Sequence, residues 1–456
     1  MTDTSQLIPN QLALTSDVMF SLKPSSVRGR SYRASIPATN KSVFTPLDTA
    51  IFYLPCGRRN TYIDPTQSYL RYTVRNNDTT NAMYFDNTAT SVLNRLDVFH
   101  ASNLLESVQQ LNVLYSYLFD MNITGSQKSG LSSMLGTNVT MNSRAGIQLP
   151  AANATAPSQY TACIPILSGV FGLGSDKMVP VGMLNDDIRV EISFESQTVG
   201  MVATNGAQAA WSIIDIQMEL CFVELSDEGE NMVRSVSSPE NPIYLHGNTW
   251  RHFVSSLPAN TSGQVSYLVP ARFASLKQLV VCPRRAADTT SITSYSVSSR
   301  INPNFSFYNW RIGSALIPSK PIYLENVNTT GGYAEVFAEL QRSLHSLDNA
   351  ANASALNFTY FNVCDNVATN LANTGVVAAQ ASGSTAWQNA FCIGQETELF
   401  AQRNDTLMSG MNTLSSQIFF EATINNAIGA NSYILDYYAQ YDHILCIEDG
   451  IMSVRF

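Results

Sequence analysis

The chain has 456 residues and a mass of 49.9 kDa, room for two domains that each bury their own core. Apolar residues make up 45% and charged residues only 13%; the first value excludes a disordered or collagen-like polymer, and the second is about half the usual globular share. With 26 Lys and Arg against 35 Asp and Glu, the net charge is −9, which argues against a protein that coats nucleic acid.

Asn, Ser, Thr and Tyr replace the missing charges, a composition that suits β-structure and broad neutral contact surfaces. Every apolar stretch is interrupted well short of the roughly 18 residues that would suggest a membrane span. Met1-Thr2-Asp3-Thr4-Ser5 shows no basic region followed by an apolar one, so no secretory signal is expected. The seven cysteines, Cys56, Cys163, Cys221, Cys282, Cys364, Cys392 and Cys446, are odd in number and contain no CxxC. They read as reduced thiols serving as small apolar side chains.

Residues 1–37 carry Lys23, Arg28, Arg30 and Arg33 in a short basic cluster and read as an N-terminal arm. Strand patterns follow. Ser68–Val74 is rich in β-formers, Asp187–Glu195 alternates with Ile188, Val190, Ile192 and Phe194 on one face, and Asp215–Phe222 alternates with Ile216, Met218, Leu220 and Phe222 inward. Between them a helix is predicted from Asn103 as cap, with Glu106 three positions on and Leu104, Leu105, Val108, Leu111, Tyr115 and Leu118 as its stripe.

Ser226–Asn231 and Ser237–Pro242 form a polar, breaker-rich segment that reads as a linker. The order of elements then repeats. A second helix is predicted over Tyr333–Leu347 on Val336, Phe337, Leu340 and Leu344. Ile418, Phe420, Ala422 and Ile424 alternate in a strand, and Asp436–Leu445 closes the pattern. Leu111 and Leu340 lie 229 positions apart, and Asp215 and Asp436 lie 221 apart. The pattern predicts an all-β chain of two tandem eight-stranded jelly rolls with one short helix in each half. The expected boundaries are an arm at 1–37, a first jelly roll at 38–228, a linker at 229–243 and a second jelly roll at 244–456.

Catalytic chemistry finds little footing. The five histidines, His100, His246, His252, His345 and His443, form no HxH or HxxxH pair and read as satisfied structural residues rather than metal ligands. Gly169–Lys177 resembles a phosphate loop but lacks the Gly-Lys-Ser/Thr ending and precedes a strand, so it reads as a tight loop whose glycines take positive φ. Asp186-Asp187 reads as the end of a turn, and no GxSxG elbow occurs. A jelly-roll hydrolase would need an acid–base pair that spacing does not reveal; Glu195 and Glu224, read as exposed strand residues, are assigned no role. No catalytic, cofactor-binding or metal site and no cofactor is therefore assigned. Eleven Asn-x-Ser/Thr sequons, at Asn40, Asn77, Asn122, Asn138, Asn153, Asn260, Asn304, Asn328, Asn352, Asn357 and Asn404, keep a secreted carbohydrate-binding or adhesin-like double β-sandwich as the alternative.

Several segments carry a resemblance. Leu54-Pro55-Cys56-Gly57, Tyr62-Ile63-Asp64-Pro65 and Tyr69-Leu70 resemble the opening of the first jelly roll in double jelly-roll major capsid proteins, in particular those of polinton-like viruses, adintoviruses and virophages. Ile164-Pro165-Ile166, Ser168–Gly172 and Met178-Val179-Pro180-Val181-Gly182 are similar to the segment before the last two strands of that domain. Tyr308–Ser314, Ile317-Pro318, Pro321-Ile322 and Glu339–His345 are similar to the strand-to-helix passage of the second. The chain is compact for that family, which argues against an elaborate outer tower, and the arm matches no segment of it.

The resemblance implies a structural, non-enzymatic role in the virion of a double-stranded DNA virus, assembled inside the host cell. It implies pseudo-hexameric homotrimers that tile an icosahedral shell and meet neighbouring capsomers, penton and minor capsid proteins. It also implies no sequence-specific nucleic acid contact, and an inner-side arm that reaches minor proteins or an internal membrane.

Overall fold

The computed structural model describes residues 27–138, 145–153, 158–204, 210–236, 242–324, 333–347, 354, 356, 361, 389–399, 408–424 and 431–455. In the first half the strands are β1 (Gly29–Pro37), β2 (Val43–Phe44), β3 (Thr49–Leu54), β4 (Thr61–Asn76), β5 (Met83–Asp86), β6 (Leu93–His100), β7 (Asn103–Val108), β8 (Ala145–Leu149), β9 (Gln159–Pro165), β10 (Ile188–Phe194), β11 (Met201–Ala203) and β12 (Trp211–Leu225). Helices α1 (Leu111–Asn122), α2 (Gly125–Gly130) and α3 (Ser132–Leu135) follow β7, and α4 (Gln197–Gly200) follows β10. After α5 (Asp227–Val236) the second half holds β13 (Ile243–Leu257), β14 (Gly263–Val269), β15 (Leu276–Arg285), β16 (Phe305–Ile312), β17 (Ala315–Tyr323), α6 (Ala334–Ser343), β18 (Ile393–Glu396), β19 (Ile418–Ile424), β20 (Tyr433–Glu448) and β21 (Ile451–Val454).

Each half is a pair of antiparallel sheets. The first has the order β1-β12-β4-β9, with β2 on β12, facing β3-β10-β6-β7. The second has β13-β20-β15-β18, with β21 on β20, facing β14-β19-β16-β17. Strand for strand the orders match, which is the eight-stranded jelly roll made twice. A small third sheet, β11-β5-β8, caps one end of the first.

The alternating strands behave as their period demands. Ile188, Val190, Ile192 and Phe194 on β10, Met218, Leu220 and Phe222 on β12, and Ile418, Phe420, Ala422 and Ile424 on β19 are all buried. In the second core Trp310 packs against Phe420, with ring centroids 5.0 Å apart, and edge-on to Tyr437 at 6.3 Å.

Four expectations are corrected. Asn103 does not cap a helix: Asn103–Val108 is strand β7, paired with β6 from Phe99↔Leu104 to Leu96↔Val108, and the helix begins only after Gln110, which sits in the left-handed region at φ 47°. A leucine-rich pentapeptide satisfies either period, and pairing with β6 decides between them. The arm is also shorter than expected. Gly29–Pro37 forms β1, an edge strand in register with β12 from Gly29↔Leu225 to Pro37↔Gln217, so Arg30 and Arg33 belong to the first sheet; Lys23 and the rest of 1–26 lie outside the described residues.

The polar linker is helical over Asp227–Val236, with Asp227, Glu228 and Glu230 in its first turn and Arg234 in its last, the charge order that the helix dipole favours. Residues 237–241 lie outside the described residues. The fourth correction concerns the Gly169–Lys177 loop. Neither Gly169, Gly172 nor Gly174 has positive φ. Close backbone approach demands them instead: a Cβ on Gly172 would sit 2.2 Å from Ile166 O, and one on Gly174 2.1 Å from Asn248 O.

The predicted second helix is α6, with Val336 and Leu340 buried. Asp215 and Asp436 also keep matching roles, each pairing with an arginine on the adjacent strand: Arg71 on β4 at 2.8 Å and Arg284 on β15 at 2.6 Å.

Candidate assembly surfaces

The two jelly rolls meet over a junction in which buried apolar residues of both halves run together and polar groups bond across. Helix α1 is buried nearly all round, including Leu111, Val113, Leu114, Tyr117 and Met121, because its outer side lies on β13, β15 and β20 of the second half. At its start, Tyr438 donates to Gln110 O at 2.8 Å. At its end, Arg300 of the second half is ion-paired with Asp120 and donates to Ser116 Oγ at 3.2 Å, both ions having 0% side-chain exposure. Burial works against the Arg300 charge, yet Asp120 holds its affinity for the proton above the ordinary value. Lys128 Nζ adds a second cation 3.7 Å from Asp120.

Glu106 on β7 is a second node. It accepts from Ser168 Oγ at 2.5 Å, from Gly169 N at 3.0 Å and from Thr249 Oγ1 across the junction. The glycine loop inserts beside it: Asn248 N donates to Gly174 O at 2.7 Å, so the loop reads as a docking wedge. Asp86 receives the backbone N–H groups of Ser296, Val297 and Ser298 at 2.8, 2.6 and 3.2 Å. Burial raises its proton affinity in spite of those donors.

The histidines serve the same frame. His246 spans Asp176 of the first half, at 2.6 Å, and Asp442 of the second, at 3.1 Å. The bond to Asp442, helped by Asp176, raises its proton affinity. His443 Nε2 is 2.9 Å from Leu105 O, and His100 Nδ1 accepts from Met452 N at 3.1 Å. Burial lowers the proton affinity of both. His252 lies 2.9 Å from Asp436, and His345 lies within 3.4 Å of Glu396 and 3.1 Å of Glu398. Burial opposes the Asp436 charge, but Arg284 and His252 hold its carboxyl below the usual carboxylate range.

Asp187, Glu224 and Glu195, also singled out in the sequence, each have a partner within the fold. Asp187 accepts from Cys56 N at 2.9 Å, and Glu224 pairs with Arg30 at 2.7 Å. Glu195, expected on an exposed strand, is buried and accepts from Asn94 at 2.6 Å and Asn112 at 3.1 Å; it follows β10 where the chain turns into the core. Among the described residues no group of three or more His, Cys, Asp or Glu is placed to hold a metal ion, and the six described cysteines form no disulfide with one another. No helix among the described residues is long and apolar enough to cross a membrane.

Three outer surfaces remain. The outer faces of β3-β10-β6-β7 and β14-β19-β16-β17 carry matching cross-strand rows. One runs Tyr53, Arg189, Phe99, Leu104 and the other Leu268, Phe419, Arg311, Leu316. In each the guanidinium lies over the phenylalanine ring, 4.4 Å from the centroid for Arg189 and 4.3 Å for Arg311, and pairs with a glutamate, Glu191 at 3.2 Å or Glu421 at 2.8 Å. The duplicated sequence period was visible, but these rows depend on register between strands and could not be read from it. A cleft of about 570 Å³ beside β1 is lined by Arg30, Tyr32, Arg58, Arg59, Thr61 and Glu224. The third surface is the outer face of the β1-β12-β4-β9 sheet, tiled by Arg33–Glu219 at 3.3 Å, Arg71–Asp215 at 2.8 Å, and small polar side chains.

No family model and no curated protein matches the sequence. Solved structures do. The chain aligns with the PBCV-1 virus capsid at TM-score 0.61 and 9% identity, covering 96% of this chain and 99% of that one. It aligns with a chain of the Sputnik virophage at TM-score 0.55 and 11% identity, covering 98% and 93%, and with the mavirus major capsid protein at 0.54 and 10%, covering 98% and 95%. End to end, what this chain shares with those capsid structures is the double jelly-roll fold.

Proposed function

We propose that this chain is a structural major capsid protein, non-enzymatic, resident in the virion. One observation carries the reading: two jelly rolls of identical strand order, locked by a buried junction, account for nearly the whole chain and align over nearly the whole length of virus capsid structures. Three chains would then supply six upright jelly rolls, a pseudo-hexagonal trimer that tiles an icosahedral shell and meets neighbouring capsomers, penton and minor capsid proteins. The first jelly roll starts at β1 and the second at β13. The low charge fits this role, because neutral side chains and paired ions can be covered by a neighbour without stranding a charge.

The test is the solution mass of the purified full-length chain by light scattering, with negative-stain images of the peak. The expected species has three times the 49.9 kDa chain mass and a hexagonal outline. A persistent monomer at micromolar concentration, with penton and minor proteins supplied, would overturn the reading.

A further inference from the structure

The strands close many of their arginines on carboxylates. Arg33 lies on Glu219, Arg71 on Asp215, Arg189 on Glu191 and Arg311 on Glu421, each within 3.3 Å. The cleft beside β1 departs from this pattern. Arg30 is held there by Glu224 at 2.7 Å. Arg58 and Arg59, adjacent and exposed on the loop between β3 and β4, line the same cleft, and among the described residues their side chains have no ion-pair or hydrogen-bond partner. In a chain of net charge −9, three guanidiniums against one carboxylate around a space of about 570 Å³ reverse the sign locally.

The loop that carries the two open arginines is fixed through its backbone. Gly57 N donates to Val181 O and Leu225 N to Asn60 O, both at 2.9 Å, and Thr61 Oγ1 donates to Arg59 O at 3.2 Å. Asn60 Nδ2 donates to Asp227 at 2.8 Å. Gly182 passes so near that a Cβ there would sit 2.5 Å from Arg58 O. A loop pinned in this way lowers the ordering cost of binding, because only the two side chains remain to be settled.

We propose that this cleft binds clustered phosphate groups, gripped by Arg58 and Arg59. A guanidinium forks onto two oxygens of one phosphate, and two neighbouring forks suit a compact ligand whose anionic groups lie close together. The Arg30–Glu224 pair forms one wall and is already neutral, so the charge left to balance is that of Arg58 and Arg59. Tyr32 adds a phenol hydroxyl to the lining, a donor for a further oxygen. The space lies within the range of small-molecule sites, roughly 300–1,000 Å³, and exceeds what one inorganic ion fills. A soluble oligophosphate and a phosphomonoester headgroup on a lipid surface offer the same chemistry. The inference goes beyond the capsid reading and does not depend on it.

The test titrates the full-length chain with sodium tripolyphosphate by calorimetry and, separately, sediments it with phosphatidylcholine vesicles that contain phosphatidic acid. The variants are Arg58→Gln, Arg59→Gln, the two together, and Arg272→Gln as control, an exposed arginine of the second half. Each single variant should weaken binding about tenfold, the loss of one charge-assisted contact. The double variant should lose binding, and Arg272→Gln should bind as the parent does. Tripolyphosphate should also raise the melting temperature of the parent and leave that of the double variant unchanged; if the double variant melts early without ligand, the singles decide. Binding to tripolyphosphate alone identifies a soluble ligand and binding to the vesicles alone a headgroup, and either supports the site if the arginine variants weaken it. Binding to neither probe, binding that the arginine variants retain, or binding of an oligoglutamate peptide in place of both probes would overturn the proposal.

Discussion

Replacing Arg300 with Met tests whether the junction between the halves is a true structural bond. Arg300 and Asp120 both have 0% side-chain exposure, so the substitution leaves a carboxylate in a dry site with Lys128 3.7 Å away and the Asn87 amide at 3.4 Å. Breaking one side of a buried pair costs about 3–5 kcal/mol; Lys128 places this case at the lower end, about 3 kcal/mol. Asp120→Asn should cost a similar amount by stranding the guanidinium, and the double variant should cost less than the sum by at least ~1.5 kcal/mol. The assay is urea unfolding of the parent, two singles and double, followed by tryptophan fluorescence and circular dichroism. A single-variant cost below ~1 kcal/mol, or additivity within ~0.5 kcal/mol, would refute the reasoning.

Gly172→Val should lower the melting temperature sharply through collision with Ile166 O, and an unchanged melt would show that the loop has room for a Cβ. His246 offers a pH prediction. Its proton affinity is raised in the folded state, first by Asp442 and then by Asp176, so its contribution is fully present below the unfolded value of about 6.5 and is lost as pH rises through the folded one. The stability advantage of the parent over His246→Gln should therefore be largest near pH 6 and shrink towards pH 9; a constant or growing difference would contradict it.

Much of the frame was legible because a half-buried strand has a period of two. Ile188 to Phe194 and Ile418 to Ile424 announce their inward faces without help from tertiary structure, and Val336 with Leu340 announces α6. The misreadings share a cause. Asn103–Val108 and Gly29–Pro37 are edge strands whose identity depends on partners, β6 nearby and β12 far away. The Asp227–Val236 helix carries too few apolar residues to signal itself, but Tyr62 anchors it through a 2.9 Å bond to Glu230. The glycines of 169–174 are recognisable as special, but the reason for Gly169 and Gly174 is not, because the obstructing carbonyl of Asn248 lies in the other half. The surface rows and the open sheet face are properties of strand pairing, which no local pattern encodes.

The pairing of β1 with β12 also sets a timetable for synthesis. Arg30 finds Glu224 across 194 positions of chain, and His252 finds Asp436 across 184. Each jelly roll therefore waits for its last strand before its first can be seated, a topology that makes closure slow and leaves sheet edges unpaired while the ribosome works. The first half is complete in sequence once β12 has emerged, whereas α1 must wait for β13, β15 and β20 before its outer side is covered. The nascent chain thus passes through a stage in which a closed first jelly roll displays an uncovered helix, the stage at which it is most exposed to aggregation and has most to gain from a chaperone.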